Sequence, residues 1–185
     1  MTASSRGVDR ELLGRVPIFG GLPPEVLDKI IEAGTLHEVE PGAQLIAEGE
    51  LAKCVFVVCA GELEISKRGS HGAEVRLAVL RPADCVGEMS IIDIQPRSAT
   101  VRARDAAVVF RLDHGEIARL YRSHPDVYMM LLLNIAREIS RRLRKADQLL
   151  ADTGVVVQEM WSSDRLPLIS VTGGGTPPPS TPRGS

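Results

Sequence analysis

The chain has 185 residues, enough for one ordinary domain with extensions. An apolar fraction of 44% and a charged fraction of 25% are normal globular usage, and a net charge of −2 excludes an overall basic field for nucleic acid. One Trp, two Tyr and three Phe exclude a platform for stacking many bases, and no run of eighteen apolar residues is present to span a membrane.

Residues 1–16 read as a polar lead-in, with a helical turn around Asp9 to Gly14 and no signal-peptide core. Pro23-Pro24 and Glu25 open a helix over 24–33, with Val26, Leu27, Ile30 and Ile31 at helical spacing and Gly34 at its end. From Thr35 to Asp113 short β-type runs alternate with glycine turns. The predicted strands are Leu36–Glu40, Gln44–Ala47, Cys54–Cys59, Leu63–Lys67, Ala73–Leu80, Ser98–Arg104 and Ala107–Leu112. Arg68 to Gly72 reads as a flexible hairpin loop. Many short strands with regular turn signals predict a sandwich or roll.

Gly115 to Tyr121 reads as a helix, and a longer one restarts after His124-Pro125 and runs over 126–152, about 40 Å at 1.5 Å per residue. Leu132, Ala136, Ile139, Leu143, Ala146 and Leu150 recur in steps of four and three, a heptad seam that predicts a homodimer through residues 132–150. Leu131, Ile135 and Leu149 form a second stripe suited to packing on the roll. Residues 153–185, rich in Gly, Pro, Ser and Thr towards the end, read as a flexible tail.

The most informative stretch is Val86 to Ala103. Gly87 admits a close approach of backbone, Glu88 opens a short apolar turn, and Arg97 follows Pro96 at the start of an alternating strand. Helix-start N–H donors, a carboxylate and a guanidinium within about ten residues suit a ligand with one anionic phosphate and a neighbouring hydroxyl. Cys54, Cys59 and Cys85 lack CxxC spacing and read as buried small hydrophobes in a reducing cytosol, so the expected location is cytoplasmic. His37, His71, His114 and His124 are scattered, and neither a metal site nor a catalytic constellation is expected.

The segment Val86-Gly87-Glu88-Met89-Ser90-Ile91…Pro96-Arg97-Ser98-Ala99 resembles the phosphate-binding cassette of the cyclic nucleotide-binding domain family. Pro41-Gly42-x-x-Leu45-Ile46-x-Glu48-Gly49-Glu50 and Val55-Phe56-Val57-Val58…Gly61-Glu62-Leu63-Glu64-Ile65 are similar to its early turn and central hairpin. The resemblance implies a mainly β fold with flanking α: an eight-stranded, jelly-roll-like β-roll over 17–125, with an N-terminal helix, a cassette helix and a long C-terminal lid or dimerisation helix. It assigns Arg97 to the cyclic phosphate and Glu88 to the ribose 2′-hydroxyl. It gives the backbone of Gly87, Met89 and Ala99 and the side chain of Ser98 to phosphate or sugar, with Val86 and Ser90 in the same cassette. Val75, Leu77 and Cys85-Val86 serve equally as purine walls or as core. Arg141, Arg142 and Arg144 form a solvated face or supply a base cap, with Arg142 nearest by alignment.

The expected function is that of a stand-alone, non-enzymatic regulatory module that binds cyclic AMP in preference to cyclic GMP, needs no cofactor, and signals through its C-terminal helix to an unidentified downstream protein. Direct DNA and membrane binding are not expected. The alternatives are a truncated or partner-dependent sensor of the catabolite-activator type, or a ligand-free dimerisation scaffold.

Overall fold

The computed structural model describes residues 7–69, 72–93 and 95–152. Its elements run α1 (Arg10–Arg15), a 3₁₀ turn (Pro17–Phe19), α2 (Pro24–Ala33), β1 (Thr35–Val39), β2 (Gln44–Ile46), β3 (Cys54–Ala60), β4 (Leu63–Arg68), β5 (Glu74–Leu80), β6 (Cys85–Val86), α3 (Met89–Ile92), β7 (Thr100–Ala103), β8 (Ala107–Asp113), α4 (His114–Ser123) and α5 (Pro125–Asp152). The chain divides at Asp147 into two units; the described part of the second is Gln148 to Asp152, the end of α5, where Gln148 Nε2 donates to Asp152 Oδ1 at 2.8 Å. The predicted tail over 153–185, Ser70 and His71 of the predicted hairpin loop, and the first six residues of the lead-in lie outside the described residues.

The strands form two four-stranded antiparallel sheets, ordered β1-β8-β3-β6 and β2-β7-β4-β5. The apolar run of β3 is buried on both faces. Val55 and Val57 pack with Phe110 and Leu112 of β8 under the helices, while Cys54, Phe56 and Val58 point into the roll with Val101 and Val109. That double burial explains an apolar run without polar alternation. Gly34 lets the chain pass over this layer, since a Cβ there would collide with the Phe110 ring.

All seven predicted strands are present, and the eighth, β6, pairs with β3 through only Phe56↔Val86 and Val57↔Cys85. A two-residue strand carries no period for a sequence pattern to reveal. β7 starts at Thr100, two residues later than predicted, because Arg97 pairs instead with the 49–51 turn. Gly49 N donates to Arg97 O at 2.8 Å and Arg97 N to Glu50 O at 2.9 Å, beside a Leu51↔Pro96 bridge.

The helical turn predicted around Asp9 to Gly14 is α1. Asp9 caps α1 through its carboxylate, and Leu13 and Val16 are fully buried in the helix-side core. Two apolar residues one turn apart suffice to dock a short helix, a signal too brief for composition to register.

Helix α5 is held to the roll by Leu131 and Ile135, both buried, each contributing about 1.5–3 kcal/mol of apolar transfer. Asn134 Nδ2 adds bonds to Gly20 O at 2.8 Å and Ile18 O at 3.3 Å. The two predicted stripes are therefore partly redistributed. Ile139, assigned to the dimer seam, packs against the core of its own roll, whereas Ala136, Leu143 and Ala146 are exposed. Leu149, assigned to the roll-facing stripe, is 58% exposed.

Candidate functional site

Between β6 and β7 the backbone turns sharply. Gly87 has φ +89°, and a Cβ there would run into Arg97 Nη1 and lie 3.0 Å from Cys54 O. Only glycine allows the guanidinium to lie against this turn. Ser90 Oγ donates to Gly87 O at 2.5 Å and bonds His114 Nε2 at 2.9 Å, bracing the turn from the first residue of α4.

Arg97 is 7% exposed. Its Nη2 donates to Cys54 O at 2.8 Å and approaches Cys54 Sγ at 3.6 Å, while its Nε and Nη1 find no acceptor among the described residues. Buried guanidinium N–H groups are nearly always bonded, so two orphans on one arginine mark a site awaiting an anion.

Glu88 is 1% exposed. Its Oε1 accepts from Arg142 Nη1 at 2.6 Å, and Arg142 continues to Glu138 Oε1 through Nε at 3.1 Å and to Cys85 O through Nη2 at 3.3 Å. Burial pushes the Glu88 carboxyl above its usual range, and the positive charge of Arg142 opposes that shift. Burial, reinforced by the charge of Arg97, holds His114 below the ordinary imidazole range, with Asp113 acting in the opposite direction. Burial likewise pushes the Cys59 thiol up to about 11, so it stays protonated near neutrality.

Gly87, Glu88, Ser90, Arg97 and Arg142 line a cavity of about 180 Å³. Its apolar wall is Ile46, Ala52, Ile65, Val86 and Val101, and its polar floor is the cassette. The pattern is a mostly apolar concavity with a few convergent polar groups. Among the described residues no three His, Cys, Asp or Glu side chains converge as a metal set.

Residues 36–124 match the family model for the cyclic nucleotide-binding domain. The chain is 28% identical over 142 residues to a CRP-like cAMP-activated global transcriptional regulator of Mycobacterium tuberculosis, covering 77% of this chain and 62% of that protein. It is 34% identical over 119 residues to a cAMP-dependent protein kinase regulatory subunit of Yarrowia lipolytica, covering 64% of this chain and 31% of that one. The solved Thermus thermophilus catabolite activator protein superposes with a TM-score of 0.65 at 29% identity, over 75% of this chain and 63% of that chain. Residues 36–124 belong to the cyclic nucleotide-binding domain family.

In this cyclic nucleotide-binding domain the nine residues singled out from the sequence, Val86, Gly87, Glu88, Met89, Ser90, Arg97, Ser98, Ala99 and Arg142, all line the one cavity. Their roles within it differ from a plain row of ligand contacts. Ser90 spends its hydroxyl on Gly87 of the cassette and on His114 of α4. Arg142 grips Glu88 from α5. Val75 and Leu77 do not line the cavity and are 49% and 57% exposed, on a stretch of β5 whose two faces are both exposed from Glu74 to Ala78. Cys54 and His114 escaped the sequence reading, since each acts across more than twenty residues of chain and neither lies in a motif. The one available signal for His114 was its place at a helix start directly after a strand.

Proposed function

We propose that this chain is a regulatory module that binds a cyclic nucleotide, cyclic AMP in preference to cyclic GMP, and passes the binding event to α5. The observation that carries this reading is the buried Arg97, whose Nε and Nη1 lack acceptors among the described residues, on one face of a cavity whose other polar wall is the buried carboxylate of Glu88. A guanidinium fork matches the two free oxygens of a cyclic phosphate, and a carboxylate accepts from a ribose hydroxyl. The mycobacterial relative is a cAMP-activated regulator and the Yarrowia relative a regulatory subunit of a cAMP-dependent kinase, which favours adenine. The reaction class proposed is binding alone, with no catalysis. No helix among the described residues is long and apolar enough to cross a membrane.

Signalling follows from Arg142. It ties Glu88 to α5, so a hydroxyl arriving on Glu88 alters the contact that sets the helix position. The ligand shifts α5 only as far as its affinities for the two helix positions differ. The chain spans 62% of the mycobacterial regulator and 31% of the Yarrowia subunit, so what α5 reports to, whether a DNA-binding segment or a partner protein, is part of this proposal. The module itself is proposed not to bind DNA directly. The testing experiment is calorimetric titration of the chain with cyclic AMP and cyclic GMP. Micromolar or tighter binding, tighter for cyclic AMP, is expected; no heat and no thermal shift at millimolar nucleotide overturns the reading.

We further propose a homodimer through residues 132–150, supported by the exposed Leu143, which is 51% accessible, beside Ala136 and Ala146. Since Ile139 packs on its own roll, a charge there would disturb the monomer; Leu143→Glu is the cleaner variant. Light scattering at tens of micromolar is expected to give a dimer for the wild type and a monomer for Leu143→Glu, with unchanged circular dichroism. A monomeric wild type, with and without nucleotide, refutes the dimer.

A further inference from the structure

The cassette is braced by a residue that lies outside it. Ser90 Oγ stands 2.5 Å from Gly87 O and 2.9 Å from His114 Nε2. A hydroxyl has one proton, and a carbonyl can only accept, so Ser90 donates to Gly87 and accepts from His114. The neutral imidazole therefore carries its proton on Nε2. A second proton goes to Nδ1 and leaves the Ser90 bond intact. Protonation at this position adds a positive charge beside the anion site without dismantling the turn.

The geometry points to His114 as a proton-linked positioning residue of the anion site: its Nε2–H fixes the Ser90 hydroxyl that braces the Gly87 turn under Arg97, and its charged form strengthens the hold on a bound phosphate. This inference rests on the cyclic nucleotide reading of the cavity.

The surroundings support it. Arg97 acts on the imidazole as a repelling charge, and its Nε and Nη1 have no acceptor among the described residues. Asp113, the preceding residue, attracts a proton but is shared with Arg111 at 2.7 Å. On α4 itself Glu116 is paired with Arg119 at 2.7 Å. Just before β3, Lys53 presents its carbonyl, which accepts the His114 backbone N–H at 2.9 Å. A bound phosphate cancels the repulsion from Arg97, so binding raises the proton affinity of His114. By reciprocity, protonating His114 tightens binding by the same factor. Because the free imidazole lies below its ordinary range, the gain appears on the acid side, as pH falls and the imidazole takes up its proton. Glu88 titrates in the same direction of pH but pulls the other way, because its protonated form loses the charge that a hydroxyl donor favours.

The test compares the full chain with His114→Gln, which keeps an N–H donor and loses the charge, and with Ser90→Ala, which removes the brace. Cyclic AMP affinity is measured by calorimetry at constant ionic strength from about pH 8.5 to about pH 5.5. His114→Gln is expected to match the wild type at the alkaline end. It should fall about fivefold below it at the acid end, a size typical of coupling between sites. Ser90→Ala is expected to bind more weakly at every pH with an unchanged circular dichroism spectrum. In the nuclear magnetic resonance titration of the imidazole, saturating cyclic AMP should raise the His114 midpoint. Parallel pH profiles for wild type and His114→Gln, or an unmoved midpoint, overturn the assignment while leaving nucleotide binding intact. Absence of binding at every pH overturns the cyclic nucleotide reading and this inference with it.

Discussion

Arg97→Ala is expected to weaken cyclic AMP binding by at least about tenfold, because a charge-assisted pair contributes roughly 1.5–3 kcal/mol and about 1.4 kcal/mol is a factor of ten. Arg97→Lys should also lose affinity, since an ammonium is a point charge and cannot make the fork. The free protein should behave differently. Two of the Arg97 donor nitrogens are buried without acceptors among the described residues, so the native residue is held at an electrostatic cost that a ligand relieves. Arg97→Met, which keeps the apolar stem and drops the charge, is therefore expected to leave the unliganded melting temperature unchanged or higher while abolishing the rise caused by cyclic AMP. Calorimetry and thermal melts with and without ligand read both effects. An Arg97→Ala chain that folds and binds as the wild type does would place the phosphate elsewhere.

Glu88→Gln is expected to lower cyclic AMP affinity about tenfold and to erase the preference for cyclic AMP over its 2′-deoxy analogue, since a neutral amide accepts from a hydroxyl more weakly than a carboxylate does. Equal discrimination by wild type and variant would remove the hydroxyl from Glu88. The same substitution has a stability signature. The carboxyl is pushed above its ordinary value of 4.5 by burial, so the folded state holds the proton more tightly than the unfolded one. Its contribution is fully present below 4.5 and declines as pH rises through the raised value. Glu88→Gln removes that decline. Arg142, 41% exposed, keeps Glu138 as its partner. Thermal melts from about pH 5 to about pH 8 should show the variant losing less stability than the wild type as pH rises.

The cassette could be read in the sequence because its chemistry is local. Gly87, Glu88 and Arg97 lie within eleven residues, and the glycine is demanded by one backbone angle and one close approach. The strands were legible because β3 and β8 are largely apolar runs, β4 and β7 alternate apolar and polar residues, and turn chemistry acts over a few residues. The same holds for the 28-residue α5, whose 3.6-residue period repeats long enough to stand out.

What the sequence could not settle is which partner each group meets. Leu13 and Val16 were too few to announce a docked helix, and β6 was too short to show a period. Ile139 and Leu143 occupy equivalent places in a heptad pattern, but only the packing of α5 over Leu131 and Ile135 decides that one meets its own roll and the other meets solvent. Arg142 is one of several arginines on α5 until the fold brings it to Glu88, fifty-four positions away. His114 gains its place from the β8–α4 junction, which carries it to Ser90 across twenty-four residues. Periodicity and turn propensity are properties of neighbouring residues, so the chain displays them directly. The pairing of buried charges depends on which distant surfaces are pressed together, and that is decided only when the hydrophobic core closes.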